Sequence, residues 1–286
     1  PTCDVLEQRM AAFEGGAAAL AVSSGQAASA MSVQNIAQAG DNIVVSTDIY
    51  GGTWNLFGNT LKTMGIMDNT AAPTLCHPFE HGAAVIVYSM TKYIGGHGTS
   101  IGGMIIDGGN FDWEKHAKRF PMLTQPDPSY HGAVWTEAAK GLGAPIAYIL
   151  KARTTLLRDM GQAMSPFNAW MFIQGLETLP LRMREHCRNT ETVARHLDAH
   201  PAVTRVIFPG LEKDDGIRTR GQQTMSGGWG GLVGFELAGG GASGAKFIDA
   251  LKMFYHVANI GDVRSLAIHP WSTTHQQLSN EEKIAA

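Results

Sequence analysis

Several features are scarce in this chain, and each scarcity removes a class of protein. Cysteine is nearly missing: Cys3, Cys76 and Cys187 are odd in number and widely spaced. That pattern suits reduced thiols in a cytosol better than a disulfide framework. No apolar run reaches the ~18 residues that a membrane-spanning helix requires, and no leader peptide is visible from Pro1 onward. A cytoplasmic protein without a membrane partner is therefore expected. Charge is sparse and balanced, with 16% charged residues and a net charge of −3, which argues against nucleic acid as a partner. The glycine cluster Gly227-Gly228-Trp229-Gly230 lacks a following Gly-Lys-Ser/Thr, so it reads as a turn and not a phosphate loop. His77 and His81 have a metal-like i, i+4 spacing, but Pro78 spoils the helical pair, and no metal is expected. What the chain does have is length and apolar content: 286 residues, 44% of them hydrophobic, enough for a large core divided between two domains.

The most telling stretch is Ser89-Met90-Thr91-Lys92-Tyr93-Ile94-Gly95-Gly96-His97-Gly98. The run before it, Ala83-Ala84-Val85-Ile86-Val87-Tyr88, has the length and β-branched content of a strand buried on both faces. Lys92 thus leaves the carboxyl end of a strand, where open α/β sheets place their ligands. An amine with apolar walls loses solvation of its charged form, its pKa falls, and it becomes a nucleophile for a carbonyl. Ser89 and Thr91 add hydroxyls suited to a phosphate. Pyridoxal phosphate, an aldehyde that bears a phosphate, fits both halves of this description. Against it stands the plain reading that most lysines are solvated surface charges.

Three upstream segments bear on the choice. Met67-Asp68-Asn69-Thr70-Ala71-Ala72-Pro73 places an acid in a polar turn at a strand end, where a carboxylate can pair with a pyridinium nitrogen; an Asx-turn or helix cap is the simpler alternative for Asp68. Ala18 to Ala28 reads as a short strand, the turn Ser23-Ser24-Gly25-Gln26, and an alanine-rich helix running to about Ala37. The amides at such a helix start form an anion site, with Gly25 and Gln26 toward a phosphate; a plain strand-to-helix turn with Ser24 as N-cap is the alternative. Asp48-Ile49-Tyr50-Gly51-Gly52-Thr53 follows a strand-like Asn42 to Ser46, so Tyr50 is placed either to lie flat on a cofactor ring or to fill a core.

Beyond Gly98, Ile101 to Asp107 reads as a strand, and Trp113 to Phe120 as a helix inside a long aromatic-spotted stretch. Helical periodicity returns from Ile146 to Met160 and from Phe167 to Leu197, where only Pro180 interrupts it; the arginines of the second block read as a solvated face. Strands at Val203 to Phe208 and Gly231 to Leu237 and a helix at Gly244 to Met253 suggest an α+β end to the chain.

Taken together these motifs resemble the Cys/Met metabolism pyridoxal-phosphate enzymes, a family that includes cystathionine γ-synthase, cystathionine γ-lyase and methionine γ-lyase. The resemblance runs through nearly the whole chain. It is carried by Asp4-Val5-Leu6-Glu7-Gln8-Arg9, Ser23-Ser24-Gly25-Gln26, Asp48 to Thr53, Asp68-Asn69-Thr70, and Ser89-x-Thr91-Lys92-Tyr93 with Gly96-His97-Gly98. Within the family, Asn69 to Thr74, Gly98 to Gly103 and Val257 to Leu266 are most similar to the O-acetylhomoserine sulfhydrylases.

The resemblance implies an α/β fold of the aspartate aminotransferase-like type (fold type I), with a mostly parallel sheet in a large cofactor domain, residues 1–170, and a smaller α+β domain, residues 171–286. It implies that Lys92 forms the Schiff base and moves protons, that Asp68 holds the ring nitrogen, and that Tyr50 stacks on the ring. Ser24, Gly25, Gln26, Ser89 and Thr91 are implied to bind the phosphate. Asn259 falls at the substrate carboxylate pocket, with Ser265 close by. The implied activity is a γ-replacement that converts O-acetyl-L-homoserine and sulfide, or a small thiol, to L-homocysteine, or methionine, and acetate. Alternatives are the γ-synthase and γ-lyase activities and, from another class, a non-catalytic phosphate-ligand binding protein. The implied assembly is a homotetramer built as a dimer of dimers.

The chain also departs from the family. The Tyr-x-Arg pair that the family places before the equivalent of Pro1 and the Val-Arg-Leu-Ser segment near its carboxyl end are not in this sequence. Between Tyr50 and Asp68 the family inserts a strand, a helix and a strand. Neighbouring parallel strands need a crossover of a dozen or more residues, and Leu61 to Met67 is too short to hold a helix end and a buried strand. Several dozen residues are therefore expected to be missing between Ile66 and Met67.

Overall fold

A computed structural model describes residues 1–37 and 67–276. It divides into two compact units: Pro1–Thr70 with His77–Glu177, and Ala71–Cys76 with Thr178–Ala286. The expected strand Asn42 to Ser46, Tyr50 and the junction at Ile66 lie outside the described residues.

Among the described residues the first unit holds a four-stranded sheet of order β1-β4-β3-β2: β1 Ala18–Val22, β4 Gly103–Asp107, β3 Val85–Ser89 and β2 Met67–Asp68. β2 pairs parallel with β3 in the register Asp68↔Val87, while β4 runs antiparallel to both β3 and β1. Three strands therefore point the same way, but two of the three neighbouring pairs are antiparallel. The reason is the link from Met90 to Gly102, which turns the chain back beside β3 without the helical crossover that a parallel neighbour demands.

Side chains alternate across this sheet. Leu20, Val22, Val85, Val87 and Ile105 pack with Ala28 and Met31 of helix α2 (Gly25–Gln34) and with Trp113, Trp135 and Tyr148. On the other face, helix α1 (Thr2–Glu14) lies along β1 and sends Glu14 to Tyr88. Burial on both faces explains the unbroken apolar run of β3: Val85 to Tyr88 are all buried, and each such side chain stabilises the fold by about 1.5–3 kcal/mol. Among the described strands β1 lies at the edge, and Glu7 covers it by accepting from the Ala21 amide at 2.8 Å while Arg153 holds its other oxygen at 2.6 Å. The motif Asp4 to Arg9 is thus partly a device for closing a sheet edge.

The expected helix from Trp113 to Phe120 is instead a series of turns, in which Ala117 and Arg119 donate to the carbonyls of Glu114 and His116 three residues back. Its aromatic residues are drawn inward, Phe111, Trp113 and Phe120 packing on one another with Trp113 stacked on Tyr148. Tertiary packing overrides helical periodicity there. From Ala147 to Met160 the chain is helical throughout, with a π-helical stretch at Ala152–Leu157. The long helix Pro166–Asp198 continues through Pro180 and belongs to both units.

The second unit contains the antiparallel pair β5 (Val203–Ile207) and β6 (Gly234–Leu237), the helices Asp215–Thr224 and Gly240–Ala250, and the short parallel pair β7 (Tyr255–His256) and β8 (Leu266–Ala267). That mixture is α+β. No helix among the described residues is long and apolar enough to cross a membrane.

Candidate active site

The site forms where β1 and β3 end. After Val22 the chain turns through Ser23 and Ser24 into α2. Ser24 is extended, with φ −160° and ψ 166°, and its hydroxyl accepts from the Ala27 amide at 3.0 Å, so it is the N-cap of the helix. The first-turn amides of an α-helix have no acceptor within the helix and carry the positive end of its dipole, which makes this end a place for an anion.

Gly25 brings that helix end against the exit of β3. A Cβ at Gly25 would lie 2.6 Å from Ser89 Cβ and 3.0 Å from Ser89 Oγ, too near for any side chain. Only glycine allows the hydroxyl of Ser89 to stand beside the amides of α2. The turn after Ser89 is held by the Met90 amide on the Gly102 carbonyl at 2.9 Å and the Gly95 amide on the Met90 carbonyl at 2.8 Å. Thr91 fixes the same link: its hydroxyl accepts from the Gly102 amide at 3.2 Å and donates to the Gly102 carbonyl at 3.4 Å.

Lys92 sits in this turn, half-buried, and burial holds its ammonium below the usual lysine range. A neutral amine is thereby easier to reach, as attack on a carbonyl requires. Against the back of the turn lies the helix Pro166–Asp198, where a Cβ at Gly175 would stand 2.2 Å from the Ile94 carbonyl oxygen. Sequence reasoning did not single out Gly175; a glycine within a helical pattern was the available signal.

Asp68 closes β2, beside Val87. The residues after it are clasped to β3: the Asn69 amide donates to the Val87 carbonyl at 3.1 Å, and Thr70 Oγ1 accepts from the Ser89 amide at 2.7 Å. The Asn69 side-chain amide donates to the Tyr88 hydroxyl at 2.6 Å, and that hydroxyl donates to Glu14. Asn69, Thr70, Tyr88 and Glu14 were all missed as individual site residues. Alternation along β3 was the signal for Tyr88, since it turns a phenol into the core, where its hydroxyl needs a partner.

Asn259 and Ser265 belong to the second unit. Asn259 is half-buried and donates its backbone amide to Val257 O at 3.0 Å; Ser265 is exposed, and its carbonyl accepts from the Tyr255 amide at 2.9 Å. Between them Asp262 is buried and grips Arg264 with both carboxylate oxygens, at 2.7 and 3.0 Å, while accepting the Arg264 amide at 2.9 Å. The ion pair folds the loop back on itself and was not expected from the sequence.

Among the described residues, then, Ser24 and Gly25 after β1 meet Ser89, Thr91 and Lys92 at and after the end of β3, across the start of β4, with the backbone of Asp68 on the neighbouring β2. These residues fit pyridoxal phosphate: the close approach at Gly25 sets the Ser89 hydroxyl against a helix N-terminus, donors suited to a phosphate, and a lysine with a depressed pKa stands in the turn that follows Ser89. The model of the Cys/Met metabolism PLP-dependent enzyme family matches residues 1–68 and 62–286. The chain belongs to that family.

Its relatives agree. An O-acetyl-L-homoserine sulfhydrylase of Leptospira meyeri is 44% identical over 345 residues, an alignment that spans 100% of this chain and 78% of the relative. A crystal structure of a putative O-acetylhomoserine (thiol)-lyase from Campylobacter jejuni, which contains a pyridoxyl-lysine monophosphate, matches with TM-score 0.90 and 35% identity over 99% of this chain and 79% of that one. A cystathionine γ-synthase from Xanthomonas oryzae matches less well, with TM-score 0.78 and 27% identity over 100% of this chain and 78% of that one. The chain is thus a pyridoxal-phosphate-dependent enzyme of fold type I.

Proposed function

We propose that this enzyme carries out γ-replacement on O-acetyl-L-homoserine. The Cγ–O bond breaks, acetate leaves with the bonding pair, and the sulfur of sulfide forms a new bond to Cγ, giving L-homocysteine; a small thiol such as methanethiol would give methionine. The greater similarity to an O-acetyl-L-homoserine sulfhydrylase than to a cystathionine γ-synthase supports sulfide over cysteine as the donor.

Bound pyridoxal phosphate supplies an electron sink for the pair left at Cα. The residues around it have separate tasks. Lys92 holds the cofactor and, once released by substrate, moves the proton from Cα. Asp68 would keep the ring nitrogen protonated, and Tyr50 would stack on the ring, roles that the family resemblance implies. Ser89, Thr91, Ser24 and the amides of Gly25 and Gln26 hold the phosphate. Asn259, with Ser265 near it, orients the substrate carboxylate. Fixing both ends of the substrate matters because only a Cα–H bond held perpendicular to the ring is weakened, so positioning supplies much of the rate.

The observation that carries this reading is the meeting of Gly25, Ser89 and the Lys92 turn, which sets an anion site beside a desolvated amine. A cytoplasmic setting is supported by the three free cysteines. A homotetramer is supported by the family resemblance and by exposed apolar residues at Phe167 and Trp170, whose rings pack 5.6 Å apart on the surface.

The deciding assay offers O-acetyl-L-homoserine with sulfide or with cysteine. Homocysteine and acetate in equal amounts, with sulfide much the better donor, is the expected result. Preference for cysteine would move the enzyme to the γ-synthases, and turnover without any thiol to the γ-lyases. Lys92→Ala should abolish turnover and the visible absorbance of lysine-bound cofactor together.

A further inference from the structure

Behind the strand exits runs a buried chain of hydrogen bonds that the reaction itself does not call for. Asn69 Nδ2 donates to the Tyr88 hydroxyl at 2.6 Å, and the Tyr88 hydroxyl donates to Glu14 Oε1. The direction is fixed, because a phenol has one proton and the amide nitrogen can only donate. Tyr88 is 1% exposed, Asn69 4% and Glu14 6%, and the second carboxylate oxygen of Glu14 is buried without a hydrogen-bond partner among the described residues. Burying the unsatisfied oxygen is costly, while the satisfied hydrogen bonds of such a network make the elements that they join rigid.

What it holds is the residue next to Asp68. Asn69 is tied to β3 twice, by its backbone to Val87 and by its side chain to Tyr88, and Thr70 accepts from the Ser89 amide. β3 ends at Ser89 and leads directly into the Lys92 turn. Asp68 and Lys92 must address opposite ends of one rigid pyridine ring, so an error of about 1 Å in their spacing weakens both contacts.

We infer that Glu14, acting through Tyr88 and Asn69, is a positioning residue that sets the Asp68 strand end against the Lys92 turn and so fits the pocket to the ring of the cofactor. The inference rests on the reading of Lys92 and Asp68 above.

Tyr88→Phe tests it, since it removes the hydroxyl and leaves the ring. In the holoenzyme, the variant should bind pyridoxal phosphate at least tenfold more weakly by equilibrium titration. Its visible band should shift, because the ring nitrogen is less well held, and kcat should fall with KM for O-acetyl-L-homoserine little changed. Glu14→Gln, which keeps an acceptor for the hydroxyl, should retain most of the affinity that Glu14→Leu loses. Cofactor affinity, band position and kcat within twofold of the parent in Tyr88→Phe, with only the melting temperature lowered, would reduce the chain to a structural role and overturn the inference. Should Tyr88→Phe not fold, Asn69→Ala cuts the same chain one bond nearer Asp68 and is read by the same titration; failure of both to fold also overturns it. A parent protein that binds no pyridoxal phosphate would refute the prior reading instead, and the two failures are thereby distinct.

Discussion

Asp107 shows how far burial alone can move a group in this molecule. It ends β4 at 1% exposure, and burial pushes its carboxyl up to about 6 against the 3.8 of an unperturbed aspartate, despite the Gly109 amide that it accepts at 3.0 Å. The folded chain therefore keeps a proton that the unfolded chain has released between these two values, so stability falls as pH rises through that window and stays lowered above it. Asp107→Asn keeps an acceptor for Gly109 and removes the charge. In urea unfolding the variant should exceed the parent by up to about 3 kcal/mol above pH ~7, and by little at pH ~4; equal stability at both would refute the burial argument. The place of Lys92 in a turn after a buried strand was legible in the sequence because it depends on a local pattern, an apolar strand followed by hydroxyls and glycines. Glu14 and Tyr88 were not, because they are 74 residues apart in sequence and meet only when α1 folds onto the sheet.

Helix α2 illustrates how an element serves the site from both ends. Its first turn meets Ser89, and its C-cap residue is held at the other end: Lys151, 3% exposed, donates to the Asn35 carbonyl at 2.9 Å, and the Asn35 side chain donates to the Tyr148 carbonyl at 2.8 Å. A cation there also complements the helix dipole. Gly25→Ala drives a methyl group against Ser89 at the first of these ends, so α2 must retreat from β3. Its affinity for pyridoxal phosphate should drop at least tenfold by titration while its circular dichroism stays that of the parent; unchanged affinity would refute the close approach. At the other end, burial lowers the Lys151 ammonium to about 8 from 10.5. The folded chain then holds fewer protons than the unfolded chain between these values, and stability gains from this group as pH rises through them. Measured against Lys151→Met, the parent should gain stability between pH ~8 and ~10; a constant difference would contradict the assignment. At this scale the sequence was readable where periodicity and burial agree, as in β3, α2 and the long helix. It misled from Trp113 to Phe120, where aromatic packing competes with helical hydrogen bonding.

At the scale of the whole molecule, similarity and chain length carry different information. Fold class and cofactor followed from motifs spread along the sequence, and the family match accounts for them. The same match comes in two overlapping pieces that meet at residues 62–68, and the alignment to the Leptospira meyeri enzyme runs over 345 residues against the 286 of this chain. Both facts support the proposal that several dozen residues belong between Ile66 and Met67. Intact mass of the protein isolated from its source should then exceed the 30.6 kDa of this sequence, with the extra peptides mapping to that junction; contiguous Ile66-Met67 in a native peptide would refute it. The lysine assignment does not depend on that outcome and can be tested directly. Purified protein loaded with pyridoxal phosphate, reduced with borohydride and mapped by mass spectrometry should carry the pyridoxyl group on the peptide that contains Lys92. A label on any other lysine, or on none, would contradict the account.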